Sequence, residues 1–143
     1  MTTFAIEKDL SVNVPPSVLF DALTNSDKIV QYYPLKEVVS TWKVGDEIIF
    51  RGSNDDKDFT DYGKIEALLP DEKFQYSYWS DNHGTKRSPE NHLTICYTLH
   101  KSNNGTNLKL EHKNLQSQKM YLDMLNVWDF LLSSLKDFVE KNS

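Results

Sequence analysis

The chain has 143 residues, 38% hydrophobic and 26% charged, long enough to bury a core without disulfides or metals, so a single domain over 1–143 is expected. A formal net charge of -5 and a pI near 5.3 argue against nucleic acid, whose phosphates demand clustered Lys and Arg. No run approaches the roughly 20 apolar residues of a membrane span, the N-terminus lacks a signal-peptide core, and the lone Cys96 suits a reducing compartment; a cytoplasmic protein without membrane insertion is expected.

Phe4, Ile6, Leu10, Val12 and Val14 alternate with mostly polar residues, so residues 3–14 read as a half-buried strand that Pro15-Pro16 ends. Pro16 or Ser17 opens a short helix with Val18, Leu19, Ala22 and Leu23 on one side, reaching about Asn25. Ser26 or Asp27 caps a second short helix through Ile29 and Tyr32, which Pro34 stops. Five antiparallel strands follow, at about residues 38–42, 46–52, 59–69, 72–80 and 92–101, and a further strand covers 106–114. The connectors between them are turn-rich, as a meander requires, and Asn104-Gly105-Thr106, formally a glycosylation sequon, reads as a tight turn.

Strand parity separates two faces. Ile48 and Phe50, then Phe74, Tyr76 and Tyr78, then Leu93, Ile95, Tyr97 and Leu99, and finally Leu108, Leu110 and His112 share a dry side, whereas Lys73, Gln75, Thr94, Thr98, Lys109 and Glu111 take the wet one. The dry side needs a cover. Tyr121, Leu125, Trp128, Leu132, Leu135 and Val139 recur at alternating four- and three-residue steps on one long C-terminal helix, and Met124, Leu131 and Phe138 widen that stripe. Aromatic content of 12% suits either a filled core or the lining of a ligand cavity.

The order of strand, two short helices, meander and long helix meets four local signatures. These are residues 14–24, Val14-Pro15-Pro16-Ser17-Val18-Leu19-Phe20-Asp21-Ala22-Leu23-Thr24; Asp61-Tyr62-Gly63-Lys64-Ile65 ahead of Pro70-Asp71-Glu72-Lys73-Phe74-Gln75-Tyr76; residues 104–112; and Trp128 to Lys136. With them the chain resembles the START-like or Bet v-like helix-grip superfamily. Within it, the chain is similar to small bacterial proteins related to the C-terminal domain of the activator of heat shock protein 90 ATPase. The resemblance covers nearly the whole sequence. It departs from the family at Tyr32-Tyr33-Pro34, where relatives often place a Trp, at Tyr78-Trp79, and at Asn126-Val127 before the helix Trp.

What the resemblance implies is an α+β helix-grip fold: a six- to seven-stranded curved antiparallel sheet wrapped around the C-terminal helix. A cavity lies between them and opens near the short helices and the hairpin tips. Phe50, Tyr76, Tyr78, Tyr97, His112, Met120, Met124 and Trp128 are then the candidate ligand contacts. Three phenols on one concave face favour a partly wet pocket, since each buried hydroxyl needs a partner.

No catalytic signature stands out. His83, His92, His100 and His112 have no recognised metal-ligand spacing, so no metal or cofactor is expected; His83 and His100 read as solvated, His112 as dry-facing. The acidic run Asp55-Asp56-Lys57-Asp58 with Asp61 fails the calcium-loop pattern and reads as a solvated hairpin tip. Cys96 falls on the parity opposite Ile95 and Tyr97 and points away from the cavity. The leading expectation is a noncatalytic binding protein for a small hydrophobic or amphipathic molecule. The alternatives are a cochaperone-like module that meets a heat shock protein 90 homologue, and a cyclase- or hydrolase-type cavity enzyme. The last would require a ring nitrogen of His112 within one hydrogen bond, or one water, of a cavity Tyr or carboxylate.

Overall fold

Alternation along the strands builds the sheet: in Lys73–Ser80 every second residue, Phe74, Tyr76, Tyr78 and Ser80, is buried. The protein's structure is a computed structural model that describes residues 3–54, 57–80 and 85–141. Its elements run β1 (Phe4–Val12), α1 (Pro16–Leu23), α2 (Ser26–Tyr32), β2 (Leu35–Ser40), β3 (Glu47–Asn54), β4 (Lys57–Leu69), β5 (Lys73–Ser80), a 3-10 turn at Pro89–Asn91, β6 (Leu93–Ser102), β7 (Gly105–Leu115) and α3 (Gln118–Lys141).

The seven strands form one antiparallel sheet in the order β1-β7-β6-β5-β4-β3-β2. Consecutive strands β2 to β7 are a meander, and β1 returns to pair with β7, from Phe4 opposite Leu115 to Val12 opposite Thr106. The helices α1 and α2 carry the chain from one edge of the sheet to the other. Register shifts at Phe4/Ile6, Leu35/Glu37 and Ile65/Ala67 mark irregularities of the kind that bend strands and let a sheet curve. At the β6–β7 turn Gly105 is obligatory, because a Cβ there would sit 2.0 Å from the Val12 carbonyl oxygen.

α3 lies across the concave side. The Ser117 hydroxyl accepts from the Met120 backbone N–H at 3.1 Å and caps its first turn. Trp128, Leu132, Leu135 and Val139 are its buried stripe, and the remaining members of the expected stripe, Tyr121 and Leu125, are only half-buried. The rear of α3 is pinned by polar contacts: Lys136 Nζ donates to the Ser11 carbonyl at 2.7 Å, Glu140 accepts from the Asn13 N–H at 2.9 Å, and Ser134 Oγ donates to the Tyr32 carbonyl at 2.8 Å. No helix among the described residues is long and apolar enough to cross a membrane.

Several boundaries differ from the sequence reading. Asn25 caps α2 by accepting from the Asp27 N–H at 3.0 Å, because its extended backbone precedes the helix while Ser26 and Asp27 are already inside it. β2 begins at Leu35, directly after the Pro34 stop, and β3 and β4 extend to Asn54 and Lys57, which pair across the expected loop. Asp61 therefore stands inside β4 opposite Phe50 and Ser80, not at a solvated hairpin tip. Asp55, Asp56 and His83 lie outside the described residues, and His100 is exposed. Cys96 is buried yet paired with Gln75 and Glu111 of the outer register, with Sγ 3.7 Å from Thr98 Oγ1.

Candidate functional site

Where the sheet falls away from the front half of α3, a cavity of about 340 Å³ opens between them. Met124, Val127, Trp128 and Leu131 of α3 form one wall, and Tyr33, Pro34 and Leu35, at the junction of α2 and β2, form the rim. The sheet contributes Phe50, Phe59, Tyr76 and Ile95 as apolar lining and, side by side on β4 and β5, Asp61, Tyr78 and Ser80 as polar lining. Gly63 lets β4 and β5 pack closely behind this wall. A Cβ at that position would lie 2.6 Å from the Ser77 carbonyl oxygen and 2.9 Å from Ile48 Cγ2.

Of the eight candidate contacts, Phe50, Tyr76, Tyr78, Met124 and Trp128 line this cavity, whereas Tyr97, His112 and Met120 stand outside its lining. Tyr97 acts one layer back: its hydroxyl meets the Tyr33 hydroxyl at 2.8 Å, and its ring packs edge-on against Trp128 at 6.2 Å. Met120 is half-buried against the core.

His112 occupies the middle of β7, opposite Ile6 and Ile95, and is fully buried. Trp128 Nε1 donates to its Nδ1 at 2.9 Å, and its Nε2 lies 3.0 Å from the Tyr78 hydroxyl. An indole nitrogen only donates, so Nδ1 is the acceptor; the neutral ring carries its proton on Nε2 and gives it to Tyr78 Oη. One histidine thereby orients two cavity walls. The His112–Tyr78 distance is the one an acid–base reading asks for, yet the histidine does not itself reach the cavity, and only Tyr78 could pass a proton to an occupant.

The electrostatics are those of a dry, aromatic interior. Burial pushes the phenols of Tyr32, Tyr33, Tyr76, Tyr78 and Tyr97 upward. For Tyr78 the next cause after burial is the charge of Asp61, which also contributes at Tyr76, so the carboxylate's field reaches across the cavity wall. Asp61 is half-buried, with Oδ1 shielded from solvent. Among the described residues no three His, Cys, Asp or Glu side chains are grouped to hold a metal.

Asp61, Ser80 and Tyr33 are the polar lining that the sequence reading passed over. Parity carried the signal for two of them: Ser80 continues the Phe74, Tyr76, Tyr78 series, and Asp61 precedes Gly63 and Ile65 on the inner side of β4.

Comparison with known proteins matches residues 13–140 to one family, described as activator of Hsp90 ATPase homolog 1-like protein. The chain belongs to that family. A solution structure of a protein from Cytophaga hutchinsonii is 28% identical, covers 99% of this chain and 98% of its own, and superposes with a TM-score of 0.84. A Mesorhizobium loti crystal structure at 17% identity covers 98% and 99% of the two chains with a TM-score of 0.81. The Aha1 dimer from Colwellia psychrerythraea, at 21% identity, covers 96% of each chain with a TM-score of 0.78. These last two establish the shared fold. No curated protein matches. The sheet, the paired short helices and the long terminal helix are thus the frame that this chain shares with these structures.

Proposed function

We propose that this member of the activator of Hsp90 ATPase homolog 1-like family binds a small amphipathic molecule between its curved sheet and the front half of α3, without chemistry. The observation that carries this reading is the cavity of about 340 Å³, apolar around most of its lining but with Asp61, Tyr78 and Ser80 together on one wall. Such a combination of a greasy body and a few placed polar groups is the usual make-up of small-molecule sites, and this volume, at the lower end of their range, takes roughly ten to fifteen non-hydrogen atoms. Trp128 in the wall supplies a reporter. Titration of small aromatic alcohols and lipids against tryptophan emission is expected to give a saturable response that Ile95→Phe, which extends a ring into the space, weakens at least about tenfold. No saturable response to any compound of this size would remove the reading.

The family match itself supports a second reading, a cochaperone-like module acting on a heat shock protein 90 homologue. Co-purification with that homologue and stimulation of its ATPase activity would favour it. Absence of both effects at micromolar protein would dispose of it.

A further inference from the structure

Three phenols beside the cavity, Tyr33, Tyr76 and Tyr97, each carry a hydroxyl hydrogen, and among the described residues a single acceptor is found for them. That acceptor lies within the group: the Tyr33 and Tyr97 hydroxyls share one hydrogen bond of 2.8 Å, although each has a hydrogen to give. Tyr97 is buried one layer behind the cavity and meets no other acceptor among the described residues, so the arrangement that strands no donor has Tyr97 giving its hydrogen to Tyr33. The Tyr33 hydrogen is then the spare one, and Tyr33 lines the cavity. Tyr76 lines it too, is only 5% exposed, and has a hydroxyl that no group among the described residues meets. We propose that the occupant carries a hydrogen-bond acceptor of the carbonyl class, a ketone or an ester, received by the Tyr76 and Tyr33 hydroxyls. This rests on the reading of the cavity as a ligand site and adds the chemical class of the ligand.

Burial raises the ionisation of all three phenols, so each keeps its hydrogen at neutral pH. After burial, the largest cause at both Tyr33 and Tyr76 is Tyr97, which fits hydroxyls grouped at one end of the space. A phenol gives a hydrogen bond better than it takes one, because its lone pair is shared with the ring. A guest that strips water from Tyr76 and Tyr33 without replacing its hydrogen bonds leaves two buried donors unmet and loses affinity. A carbonyl oxygen meets both needs: it offers two lone pairs and brings no hydrogen that requires an acceptor in turn. An alcohol oxygen also takes one of these hydrogens but adds one of its own, so alcohols remain guests of the cavity, and weaker ones. The apolar body of the ligand then lies against Phe50, Met124 and Trp128.

Two probes of one shape separate the cases: 4-phenyl-2-butanone, and isopentylbenzene, in which a methyl group replaces the carbonyl oxygen. Both are titrated against tryptophan emission on the unaltered protein and on Tyr76→Phe, which removes the hydroxyl and keeps the ring. The ketone is expected to bind at least about fivefold more weakly to Tyr76→Phe and at least about twofold more weakly to Tyr33→Phe, while the hydrocarbon binds as before or more tightly. Tyr121→Phe, which alters a half-buried phenol of α3 outside the lining, should leave both affinities unchanged. The infrared stretch of an isotope-labelled carbonyl gives a second readout. In the unaltered protein it is expected below its position in hexane, and in Tyr76→Phe it should rise toward that position. Tyr33→Phe serves for both readouts if Tyr76→Phe does not fold, and the stretch in the unaltered protein stands without either. A bound ketone that absorbs as it does in hexane, or equal changes for ketone and hydrocarbon in Tyr76→Phe, overturns the carbonyl preference and leaves a ligand cavity standing. A ketone affinity lost equally in Tyr121→Phe also overturns it. Failure of both compounds to bind defeats the ligand reading together with its acceptor.

Discussion

His112 sits where two walls of the cavity need to be held still, and its chemistry suits the task because it can accept from an indole and donate to a phenol at once. Its replacement by leucine would keep the volume but leave the Trp128 N–H and Tyr78 hydroxyl buried without this partner. The expected cost is about 2 to 5 kcal/mol in urea unfolding. In the unaltered protein, nitrogen NMR should find the ring neutral with its proton on Nε2. A Nδ1–H tautomer, or a loss under about 1 kcal/mol for His112→Leu, would mean that the Trp128–His112–Tyr78 chain does not hold the walls. Period-2 parity placed His112 on the dry face from the sequence alone, but its partners come from β5 and α3, and no local pattern names them. Asp61 shows the opposite failure. It follows an acidic run that looks like solvent-exposed loop, although the expected strand over 59–69 already sets it in step with Gly63 and Ile65 on the inner side of β4.

α3 behaves as two half-elements. From Trp128 to Val139 it buries a stripe and is tied to β1, the β1–α1 connector and α2 through Lys136, Glu140 and Ser134. From Gln118 to Val127 none of its residues is fully buried, and Met124 and Val127 of this half face the cavity. Fewer buried contacts mean cheaper local opening. Amide hydrogen exchange is therefore expected to be faster over 118–127 than over 128–139, and to slow in the front half when the cavity is filled. Uniform protection along the helix would contradict this division. The sequence stripe continues without a break through Tyr121 and Leu125, since periodicity reports which side of a helix is apolar and says nothing of how far away the facing surface stands.

At the scale of the molecule, five tyrosines, Tyr32, Tyr33, Tyr76, Tyr78 and Tyr97, are held protonated by the surrounding interior. A phenol in the unfolded chain ionises near about pH 10, whereas these do so only at higher pH, so the unfolded state sheds protons first as pH rises. Their contribution to stability is complete below about pH 10 and is lost above it, as pH climbs toward the folded values. Absorbance at 295 nm and far-UV circular dichroism should therefore report the ionisation of these five and unfolding as one alkaline transition. Ionisation of the five with the fold retained would show them open to solvent. The helix-grip architecture was legible because each of its elements carries its own period, and the family signatures ordered them. The cavity was not, because its volume depends on the distance between a bent sheet and a helix anchored at one end. Whether that space admits a guest is most directly measured by NMR of methyl-labelled protein with 4-phenylbutanol, a small aromatic alcohol. Saturable shifts and intermolecular contacts at Met124 and Ile95, and none at Val139, are the result predicted; contacts confined to surface methyls such as Val39, or none at all, would contradict a receptor for small molecules.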